Sequence, residues 1–385
     1  MKSFNCFFNH LSFIGIVILS YSLASSLAHA SKTLSVVLEG YESFSTGKLY
    51  GTAIGLDGGL YLAPQTKEIA KMPEEQITDI AIKKNPIQVF AATAGKPATI
   101  YRFDDTLSAP EKYASFQQPI ISRMIITSEK IYAATAPNGG IYEVEKNKAY
   151  LLWKPKENVI WDFCVASDKK IYAAVGIPGR IYQLDPSTNY KETLFFESDE
   201  PHITKLICDS KRFLVAGGGG KGIVYEIQKN GKAYALFDSS LEEISQIISD
   251  GNGNLYVSSL SRDPGSASQL PKKGQAINVT VENFSIDSTV LIQTTEVYSI
   301  NSDNAVELVF RASNEGVTSL SLSSKNQLLV ATAGSEKEPG HVYLVNLTGN
   351  YNIEVLGQTE SLQITAMAQA DSSLYYLGTS HIGRV

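Results

Sequence analysis

Short apolar pairs recur along the chain at Val89-Phe90, Ile131-Tyr132, Ile171-Tyr172, Phe213-Leu214, Leu255-Tyr256, Leu328-Leu329 and Leu374-Tyr375. After a polar, glycine-containing turn, six of them are followed by a second pair that ends in tyrosine. These are Ile100-Tyr101, Ile141-Tyr142, Ile181-Tyr182, Val224-Tyr225, Val297-Tyr298 and Val342-Tyr343, and Val385 stands where a seventh tyrosine would come next. Most intervals between first pairs run from 40 to 46 residues, and alternation of apolar and polar positions fills each one. That period, with turn clusters between short alternating runs, predicts four antiparallel strands per unit, the blade of a β-propeller. The period-2 pattern and the β-branched content exclude a helical solenoid.

One unit shows the reading in full. Ile203-Thr204-Lys205-Leu206-Ile207 is the inner strand, Phe213 to Ala216 the second, Gly217 to Gly222 a turn, Ile223 to Ile227 the third strand and Ala233 to Phe237 the fourth. Asn230-Gly231, Asp185-Pro186 and Asp250-Gly251-Asn252-Gly253 supply the turn chemistry that hairpins need. Near the end, Ile364 to Gln369 and Leu374 to Leu377 read as two strands of an unfinished unit. Residues 59–72 read as a third and fourth strand without a first and second. Joined, they predict an all-β, seven-bladed propeller of four-stranded antiparallel blades, the last blade closed by the N-terminal segment. Continuation of the native chain past Val385 is the alternative. The fifth unit departs from the period, with an interval of 73 from Tyr256 to Leu329. The excess falls at about residues 261–296, where a Ser-, Gly- and Pro-rich loop leads into alternating runs. A loop of that length is functional or disordered.

Residues 1–30 stand apart from the repeat. Lys2, the apolar run Leu11 to Leu19 and the Ala28-His29-Ala30 triplet form a signal peptide pattern, which makes residues 31–385 the propeller domain and the location periplasmic or secreted. The apolar run is short for a membrane span, and no later segment approaches the required length. An uncleaved anchor is the other reading of this segment. The whole chain carries a net charge of −6, and loss of Lys2 makes it more negative. Such a surface argues against nucleic acid or anionic lipid as the partner. Cys164 and Cys208 remain after cleavage; the repeat leaves the facing of their side chains open, and the expectation is free, buried thiols with no bridge.

The phrases IYAATAPNGGIYEV, IYAAVGIPGRIYQL and DGNGNLYVSS resemble the repeats of exported bacterial β-propellers of the NHL and WD40-like type. The N-terminal FSTGKLYGTAIGLDGGLYLAP is similar to the opening segment of large propellers in that group. The resemblance covers the mature chain, and its matching residues are structural. It implies a periplasmic or secreted propeller and carries over no catalytic residue.

Against the repeat, most residues read as packing. Trp153, Phe196, Phe237 and Phe310 occupy one slot before successive inner strands, and the repeated tyrosines another; both are blade-to-blade core. The start of the inner strand carries Thr78, Ser122, Thr204, Ser245, Thr318 and Thr365, whose hydroxyls are expected to bond to local backbone. Trp161 breaks this series, and such breaks concentrate at functional sites. The next slot is polar and variable: Asp79, Arg123, Asp162, Lys205, Gln246, Ser319, then Ala366. These side chains are expected to ring one mouth of the central channel. The candidate ligand-binding set is therefore Trp161, Asp79, Arg123, Asp162, Lys205 and Gln246, beside the insertion.

Catalytic and metal signals are lacking. His202, His341 and His381 read as loop residues without a ligand at metal spacing, and no Gly-x-Ser-x-Gly or His-Glu-x-x-His motif occurs. The run Gly217-Gly218-Gly219-Gly220-Lys221 fails as a phosphate loop because Val215 holds the first glycine position and Gly222 replaces Ser or Thr. The expected function is a non-enzymatic binding or assembly platform for a protein or saccharide ligand, without a cofactor. A metal-dependent lactonase- or lyase-like enzyme acting on sugar-derived substrates is the alternative.

Overall fold

The alternating positions pair as antiparallel strands in the computed structural model, which describes residues 43–44, 49, 51–74, 76–104, 109–262, 292–323, 325–334, 340–349, 351–358, 363–380 and 383–385. The signal peptide expected over residues 1–30, His381 and most of the insertion lie outside the described residues. Residues 76–116, 120–153, 159–197, 202–238, 243–313 and 316–358 each form a four-stranded antiparallel meander, and residues 363–380 add a hairpin. Numbered one to seven in chain order, these units give an all-β arrangement consistent with a β-propeller. Unit four follows the sequence reading closely, as His202–Asp209, Phe213–Gly219, Ile223–Ile227 and Ala233–Asp238.

The core lies between units, because a lone meander has no partner for either face. Ile121 and Met124 of unit two bury against Phe90 and Ile100 of unit one. Ile203 and Leu206 of unit four do the same against Tyr172 and Ile181 of unit three. The two aromatic slots meet across these joints: Trp153 on Tyr182 at 5.5 Å, Phe196 on Tyr225 at 5.3 Å, Phe237 on Tyr298 at 4.7 Å and Phe310 on Tyr343 at 4.9 Å between ring centroids. These separations suit tilted ring pairs.

The tyrosines carry a second duty that the pattern did not reveal. Tyr101 donates its hydroxyl to Glu74 at 3.1 Å, Tyr182 to Glu157 at 2.8 Å and Tyr225 to Glu200 at 3.3 Å. Each acceptor stands three residues before the first isoleucine of the inner strand, so the third strand is tied to its own unit's entry turn.

The glycine run is explained by the same anchor. Gly217 to Gly219 continue the second strand rather than forming the expected turn. A Cβ on Gly218 would sit 1.8 Å from Glu200 Oε1, and one on Gly217 would sit 2.5 Å from Ile244. The buried Glu200 carboxylate accepts from Lys221 N at 2.9 Å and Ile223 N at 3.2 Å. Amides beside the run do cradle an anion, and it is the chain's own.

At the ends, the N-terminal segment meets the C-terminal residues over a shorter stretch than expected. Arg384 bridges Lys71, Val385 N donates to Ala70 O at 2.9 Å, and Met72 N donates to Gly383 O at 2.8 Å. Residues 69–72 thus act as the outer partner of 383–385. Leu60–Leu62 does not join that sheet; it pairs with Thr52–Gly55, which pairs with Ile353–Gln358 at the edge of unit six. The Gly55 to Gly59 turn folds this segment into its own hairpin, so it cannot also span the seventh unit. Ala366 of unit seven shares an apolar cluster with Ile77 and Ile80 of unit one.

The free-thiol expectation is overturned. Cys164 and Cys208 form a disulfide with a Cα–Cα distance of 5.6 Å, joining the inner strands of units three and four. The separation between the cysteines exceeds the Ile160-to-Ile203 interval by one residue. Side chains alternate faces along a strand, so this one-residue offset turns each sulfur toward the other sheet.

Candidate functional site

Every inner strand breaks its register once, at the same slot. The extra residue is Thr78, Ser122, Trp161, Thr204, Ser245, Thr318 or Thr365. A bulge inserts one unpaired residue and re-aims the side chains around it. Several hydroxyls reach across to the next unit rather than to local backbone alone. Ser122 donates to Ile160 O at 3.0 Å, Thr204 to Ile244 O at 2.6 Å and Thr318 to Ile364 O at 2.6 Å. Thr365 bonds within its own unit, to Gly378 O at 3.1 Å.

The residues after the bulges converge. Asp79, Arg123, Asp162, Lys205, Gln246, Ser319 and Ala366 all line one cavity of about 380 Å³. A second, outer cavity of about 400 Å³ adjoins it and is lined by Glu243, Arg262 and all seven bulge residues, Trp161 among them. Lys205 and Gln246 line both. Of the polar set, Lys205 and Gln246 stand where the two cavities meet, and Asp79, Arg123 and Asp162 line only the first. Asp79 is 8% exposed and Asp162 3%.

Burial of those acids is met by backbone donors. Asp79 accepts from Ile80 N at 2.9 Å and, across the joint, from Met124 N at 2.7 Å. Asp162 repeats the motif with Phe163 N at 2.8 Å and Leu206 N at 3.1 Å. Arg123 stands between them, 3.6 Å from Asp79 Oδ2 and 3.2 Å from Asp162 Oδ1. Its Nε is not aligned for a hydrogen bond, so the contact is an ion pair. Burial pushes the Asp79 carboxyl above its ordinary range, with Arg123 and the Met124 amide opposing. Gln246 donates across its own joint to Thr318 O. Asp79, Asp162, Arg123 and Gln246 therefore hold neighbouring units together.

Lys205 and Trp161 differ from that group. Lys205 is half-buried, and burial holds its ammonium below the ordinary lysine range, the largest opposing influence being Asp162. Trp161 donates its indole N–H to His202 Nδ1 at 3.0 Å, with the rings edge-to-face at 5.2 Å. Gly176 makes room for the pair, since a Cβ there would lie 2.0 Å from His202 Nδ1. His202 opens a strand rather than lying in a loop, and burial pushes its pKa down to about 4. Its Nε2 has no hydrogen-bond partner among the described residues. His341 also opens a strand, with Nδ1 2.9 Å from Glu315 Oε1.

The sequence reading passed over the slot just before the opening isoleucine. Gln76, Glu243 and Gln363 occupy it and line the outer cavity. Glu243 meets Arg262 in a two-pronged pair, at 3.1 Å through Nε and 3.1 Å through Nη2. Arg262 ends the second strand of unit five, which continues to this point inside the bounds expected for the insertion. The missed signal was the same two-residue alternation that identified the other slots.

Chemically, the arrangement offers an aromatic wall, amide and hydroxyl donors and an ammonium group. Among the described residues no three His, Cys, Asp or Glu side chains cluster as a metal site. No helix of the described residues is long and apolar enough to cross a membrane.

No family model and no curated protein matches the chain. Among solved structures, the extracellular domain of a protein from B. thetaiotaomicron, described as belonging to a one-component system, has a TM-score of 0.54 at 12% identity. The match covers 83% of this chain and 39% of that one. A protein from Lactobacillus plantarum has a TM-score of 0.52 at 10% identity, over 80% of this chain and 91% of that one. At such identities the likeness is one of fold alone.

Proposed function

We propose that the chain is an exported, seven-bladed propeller of the NHL or WD40-like type that works as a non-enzymatic binding or assembly platform for a saccharide or protein ligand. The Ala366 contact with Ile77 and Ile80 and the seven inner strands around shared cavities support ring closure. The signal pattern at residues 1–30 and the Cys164–Cys208 disulfide support export. The ligand surface is the outer cavity, where the insertion begins. One observation carries this reading: Trp161 is the single aromatic residue among seven bulge positions, and its half-buried indole forms a wall of that cavity. Pockets that bind small ligands combine such apolar walls with a few placed polar groups.

The metal-dependent lactonase- or lyase-like alternative has less support. It needs free carboxylates in the channel, whereas Asp79 and Asp162 each accept two backbone amides and flank Arg123. A glycan array probed with the intact protein and with Trp161→Ser tests the proposal. Serine suits the slot in the other units, so the variant should fold. The reading expects saccharide signals that vanish in Trp161→Ser. Signals that survive the substitution would place the binding surface elsewhere.

A further inference from the structure

The outer cavity contains three charged side chains, Lys205, Glu243 and Arg262. Glu243 and Arg262 neutralise one another through their two-pronged contact. The Lys205 ammonium has no hydrogen bond or ion pair with any described residue, although Asp162, Arg123, Asp79 and Glu243 all act on it electrostatically. Of the acids that act on it, Asp79 and Asp162 are committed to backbone amides and to Arg123. An ammonium group withdrawn from bulk water needs oxygen acceptors in direct contact, and charge-assisted partners serve it best. The cavity beside it is bounded by the Trp161 indole and by Gln76, Gln246 and Gln363, whose amides suit hydroxyl groups.

We infer that this cavity takes a small, hydroxylated monocarboxylate of the sugar-acid class, with its carboxylate on Lys205 and its ring against Trp161; the inference rests on the binding reading above. One negative charge is the limit. Asp79 and Asp162 outnumber Arg123 on the inner side of Lys205, so a second negative charge on the ligand would add repulsion with no second free cation to offset it. The depressed proton affinity of Lys205 fits this, because a carboxylate in contact would restore it.

Isothermal titration of the intact protein with D-glucuronate, neutral D-glucose and dianionic D-glucarate tests the inference. A charge-assisted contact predicts glucuronate binding at least about tenfold tighter than glucose, weakening with added salt. Glucarate should bind more weakly than glucuronate. Lys205→Gln should remove the preference, and Lys205→Arg, which keeps the cation, should retain most of it. Equal affinity for glucose and glucuronate, unchanged preference in Lys205→Gln, or no glucuronate binding would each overturn the inference. A Trp161-dependent neutral sugar on the glycan array would then leave the broader binding reading in place, whereas a blank array would separately remove its saccharide part. The comparison among ligands uses the unaltered protein, so it stands even if a Lys205 variant fails to fold.

Discussion

The indole of Trp161 and the imidazole of His202 form one hydrogen-bonded pair across the joint between units three and four, 3.0 Å from nitrogen to nitrogen. Because Nδ1 accepts, the ring is neutral with its proton on Nε2. An aromatic wall held this way is set in orientation before any ligand arrives, which lowers the ordering cost of binding.

That neutral state makes stability depend on pH. Folding depresses His202 from 6.5 to about 4, so between these values the unfolded chain binds more protons. Stability is fully present above pH 6.5 and falls as pH drops through the window, by at most about 3 kcal/mol at its lower end. Burial raises Asp79 and Glu200, and these groups act in the opposite sense. The difference between variants isolates the histidine. Urea melts at pH 7 and pH 4.5 should show His202→Gln losing less stability on acidification than the unaltered protein. Equal losses would mean that His202 does not titrate as proposed.

The Cys164–Cys208 bridge closes a loop of sequence separation 44. A chain-entropy argument gives it about 4 kcal/mol, less any strain. Cys208→Ser should lower the urea midpoint clearly, and the oxidised protein should resist alkylation until reduced and unfolded. Rapid alkylation of both thiols in the folded, unreduced protein would show that the bridge is not formed.

Glu200 and Gly218 should be sensitive to small changes. Glu200→Ala strands two backbone amides and the Tyr225 hydroxyl, at a cost of about 3 kcal/mol or more. Gly218→Ala places a methyl group onto that carboxylate and should cost about 2 kcal/mol by overpacking. Thermal melts of both variants check this; a Gly218→Ala protein as stable as the original would mean the glycine run has another cause.

Much of this was readable from alternation alone. The four strands of unit four, the aromatic joints and the convergence of Asp79, Arg123, Asp162, Lys205 and Gln246 all follow from counting two-residue and unit-length periods. The disulfide was not read from the repeat, which left the facing of Cys164 and Cys208 open; the one-residue offset takes on meaning only once the inner strands of units three and four are seen side by side. Other features depend on contacts that no period encodes. Nothing in the spacing of Glu200 and Gly218 states that a carboxylate fills the space a Cβ would need. Nor does it state that Leu60–Leu62 folds back on Thr52–Gly55, which in turn pairs at the edge of unit six.

The central claim is that ligand enters the cavity walled by Trp161. The chain contains two tryptophans, so a ¹H–¹⁵N spectrum shows two indole signals, and Trp161→Ser assigns them. Titration with a saccharide that binds on the array, or with D-glucuronate, should move the Trp161 indole signal and leave that of Trp153 in place. A ligand that binds without moving the Trp161 signal would contradict the account.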